Sequence, residues 1–400
     1  MPILATPDMC CGCAACSNKC AHKAIAMLPN QEGFLHPVVD STICIECGIC
    51  ETVCPGITPL TTQRNSLPLT IAMQHKDDVI RYQSTSGGAF TAIAEYVINR
   101  NGVVYGAAMT SDFEVCHIGV DNLEQLSKFR NSKYVQSSIG DSYSEVKKYL
   151  SQGRLVCFSG TPCQVNGLCK YLGRDYDNLI TIDIVCKSVP SPLVFRKYVE
   201  LKSTPQTPIK DIVFRDKQRG FLYCTMAHYS SAYNKEQGKS IYRRGSESDE
   251  WLRLFLSGRI SRRACFSCLY QTLNRPSDFT LGDIWETGNR QLDDNKGSTL
   301  VYIWTKKGRE ILDGINDNIR YIEYPAAEKL RGICRNNNAS ICKDREQLFY
   351  DVNLLTTKQF FDKYTPYSFV IRLKQLGRYL LYKIKLQAFV RHIKHVIIHR

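Results

Sequence analysis

The sequence predicts an α+β protein with a small cysteine-rich domain, a larger α/β body and a helical, basic C-terminal tail. Three observations lead to this prediction. Eight cysteines repeat one spacing before residue 55, strand-like and helix-like segments alternate after residue 70, and nine Lys or Arg but no Asp or Glu follow from Lys363 onward. A chain of 400 residues exceeds one ordinary core. We therefore expect domains at 1–60, 71–345 and 346–400, with a linker at 61–70.

The composition limits the function classes. The N-terminus lacks the charged and apolar regions of a signal peptide, and no run of about 20 apolar residues predicts a transmembrane helix. Nineteen cysteines without an export signal favour metal or redox chemistry in a reducing compartment over a disulfide scaffold. We therefore expect a cytoplasmic protein. The net charge of +14 is concentrated in the tail, which argues against a nucleic-acid partner.

The first 60 residues contain the pattern C-x2-C-x2-C-x3-C twice, and Pro55 follows the second copy. This is the run of bacterial two-cluster ferredoxins, in which the fourth cysteine of each copy ligates the other cluster. The crossing assigns one 4Fe-4S centre to Cys10, Cys13, Cys16 and Cys54, and a second to Cys44, Cys47, Cys50 and Cys20. Isolated C-x2-C pairs would leave zinc as the alternative. We expect Cys11 to be an ordinary small residue.

The body begins after a Thr-, Pro- and Ser-rich linker. STSGGAF leads into a segment with helical spacing, FTAIAEYVINRNG, and VVYGAAM follows as a strand. A glycine-rich turn before a helix can bind an anionic phosphate. Ser86, Gly87 and Gly88 are therefore candidate ligand contacts, and a simple capped turn is the alternative.

Four further cysteines lie close to predicted strands of the body. One lies at a predicted helix N-terminus after a strand at 155–158, one ends the strand LITIDIVC, and two form a C-x2-C pair before the strand DFTLGDIW. Ligands of α/β sheets sit at the C-terminal strand ends, so the first two of these thiols are plausible neighbours. All four together suffice for another 4Fe-4S or a zinc site, and they are Cys163, Cys186, Cys265 and Cys268.

Six motifs occur in a characteristic order: STSGGAF, KYVQSS, SGTPCQVNGL, DIVC before VPSP, IVFRDK, and CFSC before RPSDFTLGDIW. Over about residues 70–345 this order resembles the coenzyme F420 hydrogenase/dehydrogenase beta-subunit family, many of whose members carry a fused two-cluster ferredoxin module. The resemblance implies an iron–sulfur flavoprotein oxidoreductase that holds FAD beside a 4Fe-4S centre.

Family members without the ferredoxin module still hold a cluster. The resemblance therefore implies that the four cysteines of the body ligate a third 4Fe-4S cluster. It also implies FAD contacts from Ser86, Gly87 and Gly88, from Lys133 in KYVQSS, and from Arg215 and Asp283. A solvated surface charge is the alternative role for Lys133 and Arg215.

The chain departs from the family at Lys187, where members commonly have histidine before VPSP. The substrate therefore does not carry over, and we expect FAD rather than the deazaflavin coenzyme to be used. Bacterial members often accompany surface-polysaccharide genes, which suggests a small-molecule or glycan-related substrate and an electron donor or acceptor protein. The alternatives are an electron-relay subunit that docks on a partner enzyme, and a zinc scaffold for a glycan-assembly complex.

The tail interleaves apolar residues with Lys and Arg at roughly helical spacing. This pattern is typical of a helix that lies on anionic lipid. We therefore expect peripheral association with the inner face of the membrane. A helix that packs on the body or on a partner, and a nucleic-acid contact, are the alternatives.

Overall fold

The computed structural model of the chain describes residues 1–58, 66–233, 239–324, 341–388 and 390. Part of the predicted linker, residues 61–65, lies outside these residues. So does the end of the predicted tail, with its apolar positions Phe389, Ile393 and Ile397.

Residues 1–58 form an N-terminal module with two short helices and one hairpin. The hairpin pairs β1 (Ile25–Pro29) with β2 (Leu35–Val39) in antiparallel register. The helices α1 (Ala15–Lys19) and α2 (Ile49–Thr52) each follow a cysteine loop. Strand β2 lies between the two cysteine runs, in the apolar and β-branched segment that joins them.

The body contains eleven strands within the described residues. In chain order they are β3 (Leu69–His75), β4 (Val103–Met109), β5 (Val115–Val120), β6 (Val156–Gly160), β7 (Leu179–Ile184), β8 (Asp211–Asp216), β9 (Thr225–Tyr229), β10 (Tyr242–Arg244), β11 (Phe279–Ile284), β12 (Ser298–Ile303) and β13 (Ile319–Glu323). Eight of them form a mixed main sheet in the order β13-β3-β12-β11-β7-β6-β4-β5, and β10-β9-β8 form a smaller sheet. The mixed sheet agrees with the predicted α+β class.

The helices of the body follow the predicted alternation with strands. They are α3 (Asp78–Gln83), α4 (Ala89–Ile98), α5 (Ser142–Ser151), α6 (Pro162–Leu172), α7 (Pro192–Lys202), α8 (Glu250–Ser257), α9 (Lys306–Gly314), α10 (Arg345–Leu354), α11 (Thr357–Tyr364) and α12 (Phe369–Lys383). Single 3-10 turns occur at Glu124–Phe129, Arg263–Cys265 and Asn316–Asn318. Among the described residues, no helix is both long enough and apolar enough to cross a bilayer.

The main sheet buries both faces because its strands are apolar at consecutive positions. Along β6, Cys157 faces α4 and α9, whereas Val156 and Phe158 face α5 and α6. Ala14 and Ala15 of the N-terminal module join the second of these cores. The module is therefore packed on the body through α5 and α6.

A further core, separate from those on the two faces of the main sheet, lies between the smaller sheet and helices α7, α8, α10 and α11. Phe34 of the N-terminal module and Phe360 of α11 are both fully buried in it. The body thus extends past the predicted boundary at 345 and includes residues up to Tyr364. The part of the predicted tail that projects from this core begins at α12.

One edge of the main sheet collects most of the predicted site residues. Strands β4, β6, β7 and β11 are mutually parallel, and β3 has the same direction because β12 runs antiparallel to both β3 and β11. Their C-terminal ends therefore meet at one edge. The predicted motifs after β3, β6, β7 and β11 all start there.

Candidate iron–sulfur and flavin site

The first predicted cysteine quartet lines one small cavity of the N-terminal module. Cys10, Cys13, Cys16 and Cys54 all border it, together with Gly12, Ala14, Pro55 and Gly56. Burial raises the pKa of the Cys16 thiol to about 12, and the nearby thiols of Cys10 and Cys54 raise it as well. The fold therefore brings Cys54, the fourth cysteine of the second run, to the first three cysteines of the first run. This is the grouping that the spacing predicts.

The two cysteine loops share an unusual backbone conformation. Gly12 and Ala14 have φ of 72° and 58°, and the equivalent Glu46 and Gly48 have φ of 58° and 69°. A left-handed conformation costs a residue with a side chain about 1–2 kcal/mol, so Ala14 and Glu46, one in each loop, indicate a demanding ligand geometry. Both loops are thus shaped to turn three thiols inward, which fits a cubane cluster.

The second predicted quartet lies nearer the surface. Cys50 is buried beside Cys20 and Cys16, whereas Cys47 is exposed. The exposed apolar side chains of Ile43 and Ile45 flank this loop. Of the two N-terminal quartets, the one that includes Cys47 therefore lies closer to solvent.

The four cysteines of the body also lie together, at the edge of the main sheet. Burial raises the pKa of the Cys186 thiol, and the neighbouring thiols of Cys265, Cys163 and Cys268 raise it further. Burial likewise raises the pKa of Cys265 to about 12. Two strand ends, which carry Cys163 and Cys186, and the C-x2-C loop of Cys265 and Cys268 thus supply a single cluster of thiols. The strand-end rule predicted the first two of these to be neighbours.

Cys11 is predicted to be an ordinary small residue, but its thiol lies between the first N-terminal quartet and the four thiols of the body. It interacts with Cys13 of the first quartet and with Cys163 of the body. The two predicted cluster sites are therefore separated by one side chain. The doubled cysteine at 10–11 is the only local signal of this arrangement.

A single zinc ion fits the described residues less well. A tetrahedral zinc site needs ligands within about 2.3 Å of one ion, and no three His, Cys, Asp or Glu side chains of the described ranges are arranged in that way. A cubane spreads its four thiolates over four iron atoms. The zinc alternative thus has no direct support among the described residues, and the 4Fe-4S assignment stays a prediction from the cysteine spacing.

Three of the predicted flavin contacts converge beside the body thiols. Asp283 accepts hydrogen bonds from Ser86 Oγ and, at 2.9 Å, from Arg215 Nη1. The parallel pair Leu281↔Ile184 places Asp283 next to the chain segment that ends in Cys186. The predicted flavin contacts and the predicted core cluster are thus on adjacent strand ends.

The surroundings of Arg215 fit an aromatic, anionic cofactor. Arg215 Nη2 is buried and has no hydrogen-bond partner among the described residues. The guanidinium lies 4.9 Å from the ring centroid of Trp285, and its Nη1 lies 3.2 Å from Tyr134 Oη. Sequence reasoning missed both aromatic residues because they stand beside the motif positions it selected.

Gly87 and Gly88 have a packing explanation. A β-carbon at Gly87 would lie 2.2 Å from Met73 O and 2.7 Å from Thr299 N, and Gly87 N donates to Thr299 Oγ1. Gly88 caps α4 with φ of 89°. The turn therefore fits the capped-turn alternative for these two residues, which does not itself test contact with a ligand.

Lys133 and Lys187 both donate to carbonyl groups. Lys133 Nζ contacts Lys128 O at 2.8 Å and Arg130 O at 3.0 Å. Lys187 Nζ donates to Leu256 O and lies 5.7 Å from the Phe255 ring centroid. The residue that replaces the usual histidine thus contacts the end of α8.

The comparisons with known proteins connect the chain to a family. Residues 153–329 match the family model that describes the C terminus of the beta subunit of coenzyme F420 hydrogenase/dehydrogenase. This segment, which is less than half of the chain, therefore resembles those beta subunits. The resemblance inferred from the motifs is confirmed over these residues. In this family segment lie all four body cysteines, together with Arg215 and Asp283.

Two known proteins are similar to this chain. The coenzyme F420-dependent sulfite reductase of Methanocaldococcus jannaschii is 28% identical over 170 residues, which cover 35% of this chain and 27% of the relative. The alignment thus spans about a quarter of that relative's length. A chain of the F420-reducing [NiFe] hydrogenase complex of Methanosarcina barkeri superposes with a TM-score of 0.46 and 17% identity, over 70% of this chain and 91% of that chain.

Proposed function

We propose that the chain is an iron–sulfur flavoprotein oxidoreductase that moves electrons between its N-terminal clusters and an organic substrate. The first two 4Fe-4S clusters would be held by the N-terminal quartets and the third by Cys163, Cys186, Cys265 and Cys268. FAD would lie beside Ser86, Arg215 and Asp283, and it suits this position because a flavin exchanges single electrons with clusters and electron pairs with organic molecules.

The proposal rests on one arrangement: the candidate cofactor sites are contiguous. Only the side chain of Cys11 lies between the first quartet and the body thiols. On the other side of the body thiols, Asp283 lies on the strand next to the segment that ends in Cys186, because Leu281 pairs with Ile184. The family and the sulfite reductase relative both point to redox chemistry. A continuous path from the exposed Cys47 loop to Arg215 is what stepwise electron transfer needs.

The substrate stays a prediction. A small-molecule or glycan-related compound of surface-polysaccharide metabolism is our hypothesis, with an electron donor or acceptor protein at the cluster end. Lys187 replaces the family's usual histidine and is held by Leu256 O. We therefore expect the substrate to differ from that of histidine-containing members.

Anaerobic purification tests the proposal, with iron, acid-labile sulfide and released flavin measured per chain. We expect about twelve irons and one FAD. Cys54→Ser and Cys163→Ser should each retain about eight irons, whereas Cys342→Ser, whose cysteine lies outside the three groups, should match the wild type. Full iron in Cys163→Ser would remove the body cluster from the proposal.

The electron-relay alternative differs from the leading proposal in flavin content. Packing explains Gly87 and Gly88 without a ligand, and it leaves contact with a flavin to be measured. A chain that retains iron but binds no flavin, even after incubation with FAD, would therefore be a relay subunit that docks on a partner enzyme. Loss of flavin in Arg215→Gln with full iron content would instead support the oxidoreductase.

We further propose that α12 attaches the protein to an anionic membrane surface. Its apolar stripe of Phe369, Leu373, Leu376 and Leu380 is 51–72% exposed. The opposite side lies on the body, where Arg378 pairs with Glu247 and Tyr382 stacks on Tyr223. Because α12 carries Lys and Arg but no acidic residue, an anionic lipid surface matches it better than a second copy of this cationic helix.

A further inference from the structure

A single arginine joins the first cysteine quartet to the loop that carries the body thiols. Arg262 is 1% exposed and lies three residues before Cys265. Its backbone N–H donates to Val189 O at 2.9 Å, in the segment that follows Cys186. The main chain of Arg262 therefore belongs to the body site.

The guanidinium of Arg262 reaches into the N-terminal module. Nε donates to Cys10 O at 2.6 Å, and Nη2 lies 3.4 Å from Cys10 Sγ and 2.9 Å from Leu35 O. Nη1 donates to Gln136 Oε1 at 3.3 Å. A β-carbon at Gly12 would lie 2.8 Å from Arg262 Nη1, so the cysteine loop closes tightly on this cation.

No acidic side chain is among the hydrogen-bond partners of Arg262 in the described part of the chain. Three partners are backbone or amide oxygens, one is the sulfur of Cys10, and the last is His36, whose Nε2 lies 3.1 Å from Nη2. Burial and the arginine lower the pKa of His36 to about 4, so at neutral pH this ring accepts a hydrogen bond without charge. A buried cation is costly without a counter-charge, and arginine cannot release its proton.

We propose that Arg262 is a positioning residue that stabilises the reduced form of the cluster held by Cys10, Cys13, Cys16 and Cys54. The inference rests on the proposed function, because it requires that cluster to be present. Reduction adds one electron from the electron-donor protein and takes up no proton, so negative charge accumulates beside the guanidinium. The cation raises the reduction potential of this cluster and favours electron arrival next to the body site.

The test is a redox titration monitored by electron paramagnetic resonance on the wild type, Arg262→Gln and Arg263→Gln. The signal lost in Cys54→Ser identifies the cluster. In Arg262→Gln we expect the equilibrium constant for reduction of this cluster to fall at least tenfold. This corresponds to a reduction potential lower by about 59 mV for a one-electron couple. Arg263→Gln is the matched control, since Arg263 pairs with the acids Asp8 and Glu346.

Equal potentials in Arg262→Gln and Arg263→Gln would overturn the inference. If Arg262→Gln does not retain the cluster, Arg262→Lys decides, because it keeps the charge and loses the planar fork. An Arg262→Lys variant with the wild-type reduction potential supports the inference. Loss of the cluster in Arg262→Lys, or a shift of its potential as large as that in the glutamine variant, overturns it. Wild-type protein without this cluster would instead contradict the proposed function.

Discussion

Gly167 of α6 faces Cys13 with no room for a methyl group between them. A β-carbon built at Gly167 would lie 2.9 Å from Cys13 Cβ and 3.0 Å from Cys13 Sγ. The helix that begins with Cys163 therefore also supports the first cysteine loop of the N-terminal module. One helix of the body thus positions thiols of two predicted clusters.

Replacing Gly167 by alanine tests this contact. The added methyl should displace Cys13, and overpacking of this kind costs about 1–3 kcal/mol. We expect a lower urea midpoint and loss of the Cys10 cluster's iron. Gly377→Ala is the control, because Gly377 is helical and faces open space, so it should be neutral or stabilising by up to about 1 kcal/mol. Equal behaviour of the two variants would contradict the contact.

The ion pair between Arg345 and Glu32 should contribute strongly to docking of the N-terminal module. Arg345 is fully buried, and its two terminal nitrogens each lie 2.6 Å from a Glu32 oxygen. Breaking a buried pair costs about 3–5 kcal/mol, so Glu32→Gln should lower the free energy of unfolding by that order.

Urea unfolding measures this effect, with limited proteolysis to detect release of residues 1–58. Glu114→Gln is the control, because its pair with Arg196 is about half exposed on both sides. It should change stability by less than about 1 kcal/mol. A similar loss in the two variants would show that the buried pair does not hold the module.

The buried His117 should make stability depend on pH. Burial lowers the pKa of His117 from 6.5 to about 4. As the pH falls below 6.5, this histidine therefore binds a proton in the unfolded chain but stays neutral in the folded chain. Stability present above pH 6.5 is therefore lost towards about pH 4, by about 3 kcal/mol in total. His117→Gln should reduce this slope in urea titrations between pH 7 and 5, and the part that remains comes from other histidines with a lowered pKa, such as His36. The exposed His22→Gln variant should keep the wild-type slope, and an unchanged slope in His117→Gln would refute the assignment.

The exposed stripe of α12 should determine membrane binding. We expect the wild type to float with vesicles that contain anionic lipid and to be released by salt, since each basic residue contributes about 1 kcal/mol. The double variant Leu373→Glu/Leu380→Glu should lose this binding. Leu354→Glu, an equally exposed leucine outside the stripe, serves as control. Binding that survives the double variant would point to a different surface.

Local patterns were sufficient for much of the fold. VVYGAAM is β4 over the same residues, and DFTLGDIW contains β11, because runs of apolar, β-branched residues between turn signals have few alternatives. The proximity of Cys163 and Cys186 was also predictable. It needed only the rule that parallel strands end at one edge of the sheet, whereas Cys265 lies in a loop before its strand and is not placed by that rule.

Long-range contacts could not be predicted in this way. Arg262 meets Cys10 across 252 residues, and nothing in the sequence around either residue signals the pair. The packing of α10 and α11 on the smaller sheet was missed for a related reason. Their buried residues join a core made by distant segments, whereas the basic composition of the region suggested an exposed tail.

The position of β3 controls when the body can fold during synthesis. β3 lies between β12 and β13, which come from residues 298–323, so its backbone groups have neither neighbour until the ribosome has passed that point. Such non-local pairing slows folding and exposes unpaired strand edges. The segment 153–329 that carries the family match contains both neighbours but not β3. Expressed alone, it would leave a gap within its sheet, so the main sheet is complete only when nearly the whole body has been synthesised.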